Sequence, residues 1–135
     1  MIRVFDPSRE GVAVPMISRQ ARLVAWPGVG ARQAQMNYVI LEPRESNVPH
    51  RHEESEDTIF VVEGRGIVTD VDRGTVRPVE AGCIVHVPVG VGHAVTAETR
   101  MLSVGGPCPP DTAMLRRSGL LPSKDSPRSK PKRHA

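Results

Sequence analysis

Short apolar runs rich in Val, Ile and Thr alternate with clusters of Gly, Pro and Asp along most of this chain. Runs of this length, bounded by turn residues, predict β-strands. The eight runs that fit are Ala21–Ala25, Gln35–Leu41, Thr58–Glu63, Gly66–Asp70, Thr75–Val79, Cys83–Val87, Ala94–Ala97 and Met101–Val104. Eight short strands at this spacing predict an all-β fold, either a sandwich or a barrel.

One segment has a helical pattern. It runs over Asp111–Ser118, with Asp111 as the N-cap and Gly119 as the residue that ends the helix. We expect this short C-terminal helix to lie outside the motif region and to pack on the exterior of the barrel. Asp72-Arg73-Gly74 separates two predicted strands and predicts a hairpin turn.

The 135 residues are enough for one domain. We expect an N-terminal arm over residues 1–20, a β-barrel domain with its helix over 21–121, and a tail over 122–135. The tail has almost no apolar residues and three prolines, a composition that predicts a disordered basic segment.

The formal charge of +3 is concentrated in that tail, which has five Lys/Arg and one Asp, a net charge of +4. Residues 1–121 contain thirteen Arg and fourteen Asp/Glu, a net charge of −1. With a nearly neutral body, 3% aromatic residues and no helix-turn-helix pattern, we expect no specific nucleic-acid partner.

The location of the protein is predicted from what its sequence lacks. The start has no apolar run of the signal-peptide kind, and no stretch has the length of a membrane span. Cys83 and Cys108 do not form a C-x-x-C pair, so neither a thioredoxin-type motif nor a zinc ribbon is encoded. We expect a cytoplasmic protein, with no membrane association and with reduced thiols.

The residues that suggest chemistry begin at His50-Arg51-His52. In an extended segment both histidines project to the same face, where two imidazoles can bind one metal ion. In the strand that follows, alternation places Asp57 on the same face as Ile59 and Val61, so a carboxylate joins an apolar interior. Glu56 is the rival ligand, although it is out of phase with that face in a regular strand.

A third histidine, His93, follows a strand that starts after Gly82 and a turn at Pro88-x-Gly90. Three histidines with a carboxylate suit one divalent transition metal per chain, and Fe, Mn, Ni, Cu and Zn all accept such ligands. A site with open coordination positions favours catalysis over a closed structural role.

These two segments resemble the motifs of the cupin superfamily. The second motif, Gly, five residues, Pro-x-Gly, two residues and His, is matched by Gly82, Pro88, Gly90 and His93, and the first by His50, His52 and Gly64. Counting back from Gly64 places the family's glutamate at Asp57. The resemblance implies a single jelly-roll-like β-barrel with the metal near its centre. The chain departs from the family pattern at three positions, with Arg44 for a glycine, Asp57 for the glutamate and Ala97 for an asparagine.

The resemblance and the ligand set predict a mononuclear non-haem metal oxygenase or dioxygenase acting on a small organic substrate, with Fe as the expected metal. The alternatives are a metal-dependent isomerase, lyase or cyclase, and a non-catalytic cupin that binds a small molecule. Small cupins commonly pair, so we expect a homodimer, with Met1–Val14 as a candidate arm crossing to the partner.

Three further side chains have open roles at this point. His86 is either an acid/base of the pocket or a surface histidine, and Tyr38 is a candidate hydroxyl near the site. Cys108 lies in a Gly- and Pro-rich segment that is either a plain connector or a loop over the barrel mouth.

Overall fold

A computed structural model describes residues 1–123 of the chain. The predicted disordered tail therefore lies almost wholly outside the described residues. Within them the chain forms nine β-strands, one single-turn 3-10 helix and one α-helix. The strands are β1 (Val12–Ala13), β2 (Gln20–Ala25), β3 (Met36–Leu41), β4 (Glu56–Glu63), β5 (Arg65–Asp70), β6 (Thr75–Glu80), β7 (Ile84–Val87), β8 (His93–Ala97) and β9 (Met101–Cys108). The 3-10 helix spans Pro27–Val29, and the α-helix, α1, spans Thr112–Arg117.

The strands form two antiparallel sheets. The larger sheet has the order β1-β2-β3-β9-β4-β7, and the smaller has the order β6-β5-β8. Strands that are distant in sequence are neighbours in both sheets, as in a jelly roll. The prediction of an all-β, jelly-roll-like fold with a short C-terminal helix is confirmed.

Two hydrophobic clusters hold the fold together. One lies between the sheets and comprises Leu41, Val61, Val79, Val95, Ala97 and Met101. The other joins the N-terminal residues to β2 and α1, and it comprises Val14, Ile17, Ala21, Leu23, Trp26 and Leu115. The second cluster shows that the end of the predicted arm packs within its own chain, whereas Met1, Ile2 and Val4 are fully or nearly fully exposed.

Gly64, the last residue of the first motif, illustrates why the turn between β4 and β5 needs glycine. Its φ is +83°, in the left-handed region that favours glycine. A Cβ atom at this position would lie 2.1 Å from the carbonyl oxygen of Arg100. Any side chain would force the turn away from the start of β9.

The helix begins and ends as predicted. Asp111 is its N-cap, with its side chain accepting a hydrogen bond from the Met114 N–H at 2.9 Å, and Gly119 follows its end with a φ of +78°. The helix follows the motif residues in the chain, and its N-cap Asp111 also contacts His52 of the first motif. No helix in the part of the chain that the structure describes has the length and apolar character needed to cross a membrane.

Candidate metal centre

The two motifs converge at one end of the barrel. His50 and His52 precede β4, Asp57 lies near the start of β4, and His93 opens β8. An isolated antiparallel bridge between His50 and His93 joins the two motifs directly. One ligand atom from each of His50, His52, Asp57 and His93 lies within 4.8 Å of the others. The side chains that the sequence selected therefore meet at a single point, and they can hold a metal ion there.

Two of the histidines are oriented by backbone carbonyls close to them in sequence. His50 Nδ1 lies 2.6 Å from the carbonyl oxygen of Val48, and His93 Nδ1 lies 2.9 Å from that of Val91. Since a carbonyl oxygen only accepts, each Nδ1 carries the proton and donates it. The lone pair of a neutral imidazole is then left on Nε2, the nitrogen available to a metal.

His52 is oriented by a carboxylate from a distant part of the chain. Its Nδ1 donates to Oδ2 of Asp111 at 2.8 Å, across 59 residues of sequence. Sequence reasoning recognised Asp111 only as a helix cap, and no local pattern connects it with His52. The structure thus adds one residue to the surroundings of the predicted ligands.

Asp57 lies between two of the imidazoles. Its Oδ2 is 3.0 Å from Nε2 of His93 and 3.3 Å from Nε2 of His52. The aspartate therefore reaches the histidines although its side chain is shorter than the glutamate of the family pattern. Its Oδ1 is buried and has no hydrogen-bond partner among the described residues. A buried carboxylate oxygen without a partner is costly, and a metal ion supplies such a partner. Three imidazole nitrogens and a carboxylate also suit divalent transition metals, so the residues fit the group.

The electrostatics of the metal-free site follow from this packing. Burial opposes ionisation of Asp57, but hydrogen bonds with His52 and His93 outweigh it and hold the pKa of Asp57 well below its ordinary value. Burial also opposes protonation of His52, but its contacts with Asp57 and Asp111 outweigh burial and raise its pKa. Burial is the main cause of a lowered pKa for His50.

Glu56, the rival ligand, points away from the site. Its carboxylate is half-exposed on the outer face of the large sheet, where Oε1 lies 2.6 Å from Nε2 of His86. Glu56 and Thr58 lie on the same face of β4, and Thr58 is paired with His86 of β7, so His86 faces the same way as Glu56. The strand phase therefore separates Asp57 from Glu56, and it places His86 on the surface.

Arg51 lies between the two motif histidines and, as predicted, projects to the other side. It forms a bidentate pair with Asp72 at 2.8 and 3.1 Å and donates to the carbonyl oxygen of Gly90 at 2.8 Å. Asp72 also accepts a hydrogen bond from the N–H of Gly92 at 3.0 Å. This cluster, the Arg51–Asp72 clamp, ties the segment of His50 and His52 to the turn that precedes His93.

Arg44, at the position where the family pattern has a glycine, has a left-handed backbone conformation. Its φ is +70°, which is uncommon for a residue with a side chain. Its N–H donates to the carbonyl oxygen of Ala97 at 2.8 Å. The turn before His50 is therefore built in a left-handed conformation with arginine in place of glycine.

A small cavity in the barrel interior adjoins the cluster. Its polar lining consists of His50, Asp57, Asn37, Asn47 and Ser103, and its apolar lining includes Ile59 and Val95. Its volume is about 30 Å³, which is room for about two water molecules or the end of a small ligand. Sequence reasoning did not select the two asparagines or the serine, because alternation alone does not single out a polar residue on a core face.

Two other candidates lie away from the site. Tyr38 is on the outer face of the large sheet, beside Gln20 and Ile40, so it is not near the cluster. Cys108 ends β9, is exposed, and donates from Sγ to the carbonyl oxygen of Gln33 at 3.3 Å. Both cysteines are free thiols.

Several solved structures have folds similar to that of this chain. KdgF from Halomonas sp. is 23% identical, with 85% of this chain and 100% of that chain covered and a TM-score of 0.66. The polyketide cyclase RemF from Streptomyces resistomycificus is 24% identical, with 80% of each chain covered and a TM-score of 0.61. Ectoine synthase from P. lautus is 17% identical, with 73% of this chain and 70% of that chain covered and a TM-score of 0.60. At these identities the similarity shows the fold alone.

The sequence also matches a family model. No curated protein sequence is significantly similar to this chain. The model of the cupin domain, however, matches residues 37–105, just over half of the chain, and this range includes both histidine motifs. The chain belongs to the cupin family.

Proposed function

We propose that this protein is a mononuclear non-haem metal oxygenase or dioxygenase that acts on a small organic substrate. In this proposal His50, His52, Asp57 and His93 hold one divalent transition metal, with Fe(II) as the first choice. The observation that carries it is the convergence of four donor groups within 4.8 Å, with every histidine Nδ1 already engaged by an oxygen. When bound, Fe(II) supplies the redox chemistry that reaction with oxygen requires.

The residues of the adjoining cavity indicate how a substrate is held. Asn47 accepts a hydrogen bond from the Val95 N–H at 2.7 Å, and Asn37 accepts one from the Gln35 side chain at 3.1 Å. These bonds use the carbonyl oxygens of the two amides, so their N–H groups are the donors left for a ligand. The Ser103 hydroxyl lines the same cavity. Such a lining favours a substrate that presents oxygen acceptors, such as an enol, a catechol or a diketone.

The surroundings of the site keep bulk water away from the reacting end of the substrate. Behind the cavity lies the apolar cluster between the two sheets, where Leu41, Val61 and Met101 are almost fully buried. His52, Asp57 and His93 are buried as well, so their interactions act in a medium of low polarity. His50 is the most accessible of the four, and it lines the adjoining cavity.

A second candidate is a metal-dependent isomerase, lyase or cyclase. The donor set favours it as much as it favours an oxygenase, because three imidazoles and a carboxylate also suit Zn(II), which has no accessible redox change. Zn(II) or Ni(II) would then act as a Lewis acid on a carbonyl oxygen of the substrate. A non-catalytic cupin that binds a small molecule is the third candidate function.

Metal reconstitution separates these functions. The apoprotein is loaded with Fe(II), Mn(II), Ni(II), Cu(II) or Zn(II) and screened with enols, catechols and diketones in an oxygen electrode. We expect oxygen-dependent turnover with Fe(II) and little with Zn(II). Turnover with Zn(II) or Ni(II) without oxygen would replace the oxygenase by the isomerase, lyase or cyclase. A ligand that only raises the thermal midpoint, with no turnover, would indicate a binding protein.

A further inference from the structure

The three ligand histidines differ in what holds their Nδ1. His50 and His93 each donate to a carbonyl oxygen two residues earlier in the chain, a contact that the local backbone supplies. Of the three Nδ1 groups, only that of His52 donates to a carboxylate, that of Asp111, which belongs to the segment leading into α1. A carboxylate is a stronger acceptor than a carbonyl, and it raises the basicity of the imidazole that donates to it.

Asp111 uses its two oxygens for different purposes. Oδ2 accepts from His52 at 2.8 Å, while Oδ1 accepts from the Met114 N–H at 2.9 Å and caps the helix. The contact with His52 is shielded from solvent, since the His52 side chain is 3% exposed and that of Asp111 is 10% exposed. One carboxylate therefore joins the start of α1 to a predicted metal ligand.

The rest of the chain holds Asp111 in place from both sides. Before it, the hydroxyl of Ser55 donates to the carbonyl oxygen of Pro109 at 2.6 Å, and Pro110 is buried. After it, Leu115 of α1 is buried in the cluster formed with the N-terminal residues and β2. The carboxylate is thus presented to His52 by a packed element rather than by a free loop.

From this arrangement we propose that Asp111 is a positioning residue of the metal centre. It fixes the orientation of His52, keeps the Nδ1 proton in place and strengthens Nε2 as a ligand. The inference rests on the proposed metal site and adds to it a specific dependence on the C-terminal helix. Outer partners of this kind typically contribute 10- to 100-fold to metal affinity.

Two variants separate this role from helix capping. Asp111→Asn and Asp111→Ser both keep a side chain that is favourable at an N-cap. Ser is too short to bridge the helix and His52, and Asn has a single acceptor oxygen where the structure uses two. Gly119→Ala is the matched control, since it strains the other end of α1 at a φ of +78° without touching His52.

The measurement is Zn(II) affinity by competition with a chromophoric chelator, together with the visible spectrum of the Co(II)-loaded protein. We expect both Asp111 variants to lose about tenfold or more in affinity and to shift the Co(II) bands, and Gly119→Ala to change neither. Circular dichroism confirms that each variant is folded. In a His52→Ala background, Asp111→Asn should have no further effect, because the partner through which it acts is gone.

Three other outcomes would contradict the inference or the proposed function on which it rests. Affinities of both Asp111 variants within twofold of the unmodified protein would overturn the inference. An equal loss in Gly119→Ala, or an undiminished Asp111→Asn effect without His52, would overturn it too, because Asp111 would then act through general stability. If the unmodified chain itself binds neither Zn(II) nor Co(II), the proposed function fails first.

Discussion

At the scale of single residues, the hydrogen bonds of each side chain determine which of its atoms can bind a metal ion. All three histidines of the cluster donate from Nδ1, and Oδ2 of Asp57 lies beside Nε2 of His52 and of His93. A metal ion held by these groups would also supply a partner for Oδ1 of Asp57, which is buried and has no hydrogen-bond partner among the described residues. The individual contributions of the four residues are therefore open to separate tests.

The first prediction concerns the histidines. Replacing His50, His52 or His93 by Ala should lower the metal content of the purified protein well below one ion per chain, because each replacement removes a proposed ligand. His86→Ala is the matched control, since His86 is a half-exposed histidine paired with Glu56 on the outer face. Elemental analysis of protein purified without a metal-binding tag is the measurement. Full metal content in all three ligand variants would refute the site.

The second prediction concerns the two neighbouring carboxylates. Asp57→Ala should reduce metal affinity strongly, whereas Glu56→Ala should leave it unchanged, because Asp57 faces the cluster and Glu56 faces solvent. Isothermal titration of the apoproteins with Zn(II) compares the two. The reverse ranking would mean that β4 turns Glu56 inward in solution, as a β-bulge near its start would do.

At the scale of elements, strand alternation was the most reliable guide. It predicted that Asp57 faces the barrel interior and that Glu56 faces the opposite way. The structure places Asp57 inside and Glu56 on the outer face. It did not predict that β9 continues to Cys108, because Gly105, Gly106 and Pro107 are poor strand formers. Pro107 is tolerated because it lies beyond the register of β3, where β9 pairs only with β4.

The contacts that no local pattern predicts are those between distant elements. The motif spacing led to His50, His52 and His93, but the bond between His52 and Asp111 spans 59 residues and depends on where α1 docks. The Arg51–Asp72 clamp likewise joins a motif segment to a hairpin turn. Periodicity assigns a side chain to a face, whereas its partner is set by the tertiary arrangement of the sheets.

The third prediction tests that clamp. Asp72→Ala should lower the urea midpoint of unfolding, because it leaves the Gly92 N–H as well as the Arg51 guanidinium without their acceptor. Asp72→Asn should cost less, since the amide oxygen can still accept from Gly92. Arg65→Met breaks a well-exposed ion pair with Glu98 and should change stability by less than about 1 kcal/mol. Urea unfolding monitored by circular dichroism gives the ranking, and equal effects in all three variants would refute the clamp.

At the scale of the whole molecule, the two faces of the large sheet differ in what covers them. The inner face packs against the small sheet, whereas the outer face leaves Phe60, Val62 and Ile84 at 41%, 38% and 69% exposure. Phe60 is paired with Ile84 on one side and with Val104 on the other, so the apolar side chains are contiguous across β7, β4 and β9. A contiguous apolar patch on a small protein typically marks an interaction surface.

The last prediction is that this outer face forms the interface of a homodimer. Two copies would pack sheet against sheet, burying Phe60 and Ile84 at the contact, and the exposed residues at the start of the chain would reach the partner. Ile84→Glu should then give a monomer, because it places a charge within the interface. Val76→Glu is the control, since Val76 is 56% exposed on β6 of the other sheet and should leave the dimer intact. Light scattering at micromolar concentration measures the mass. A monomeric unmodified protein would rule out the dimer, and an equal loss of mass in both variants would place the interface elsewhere.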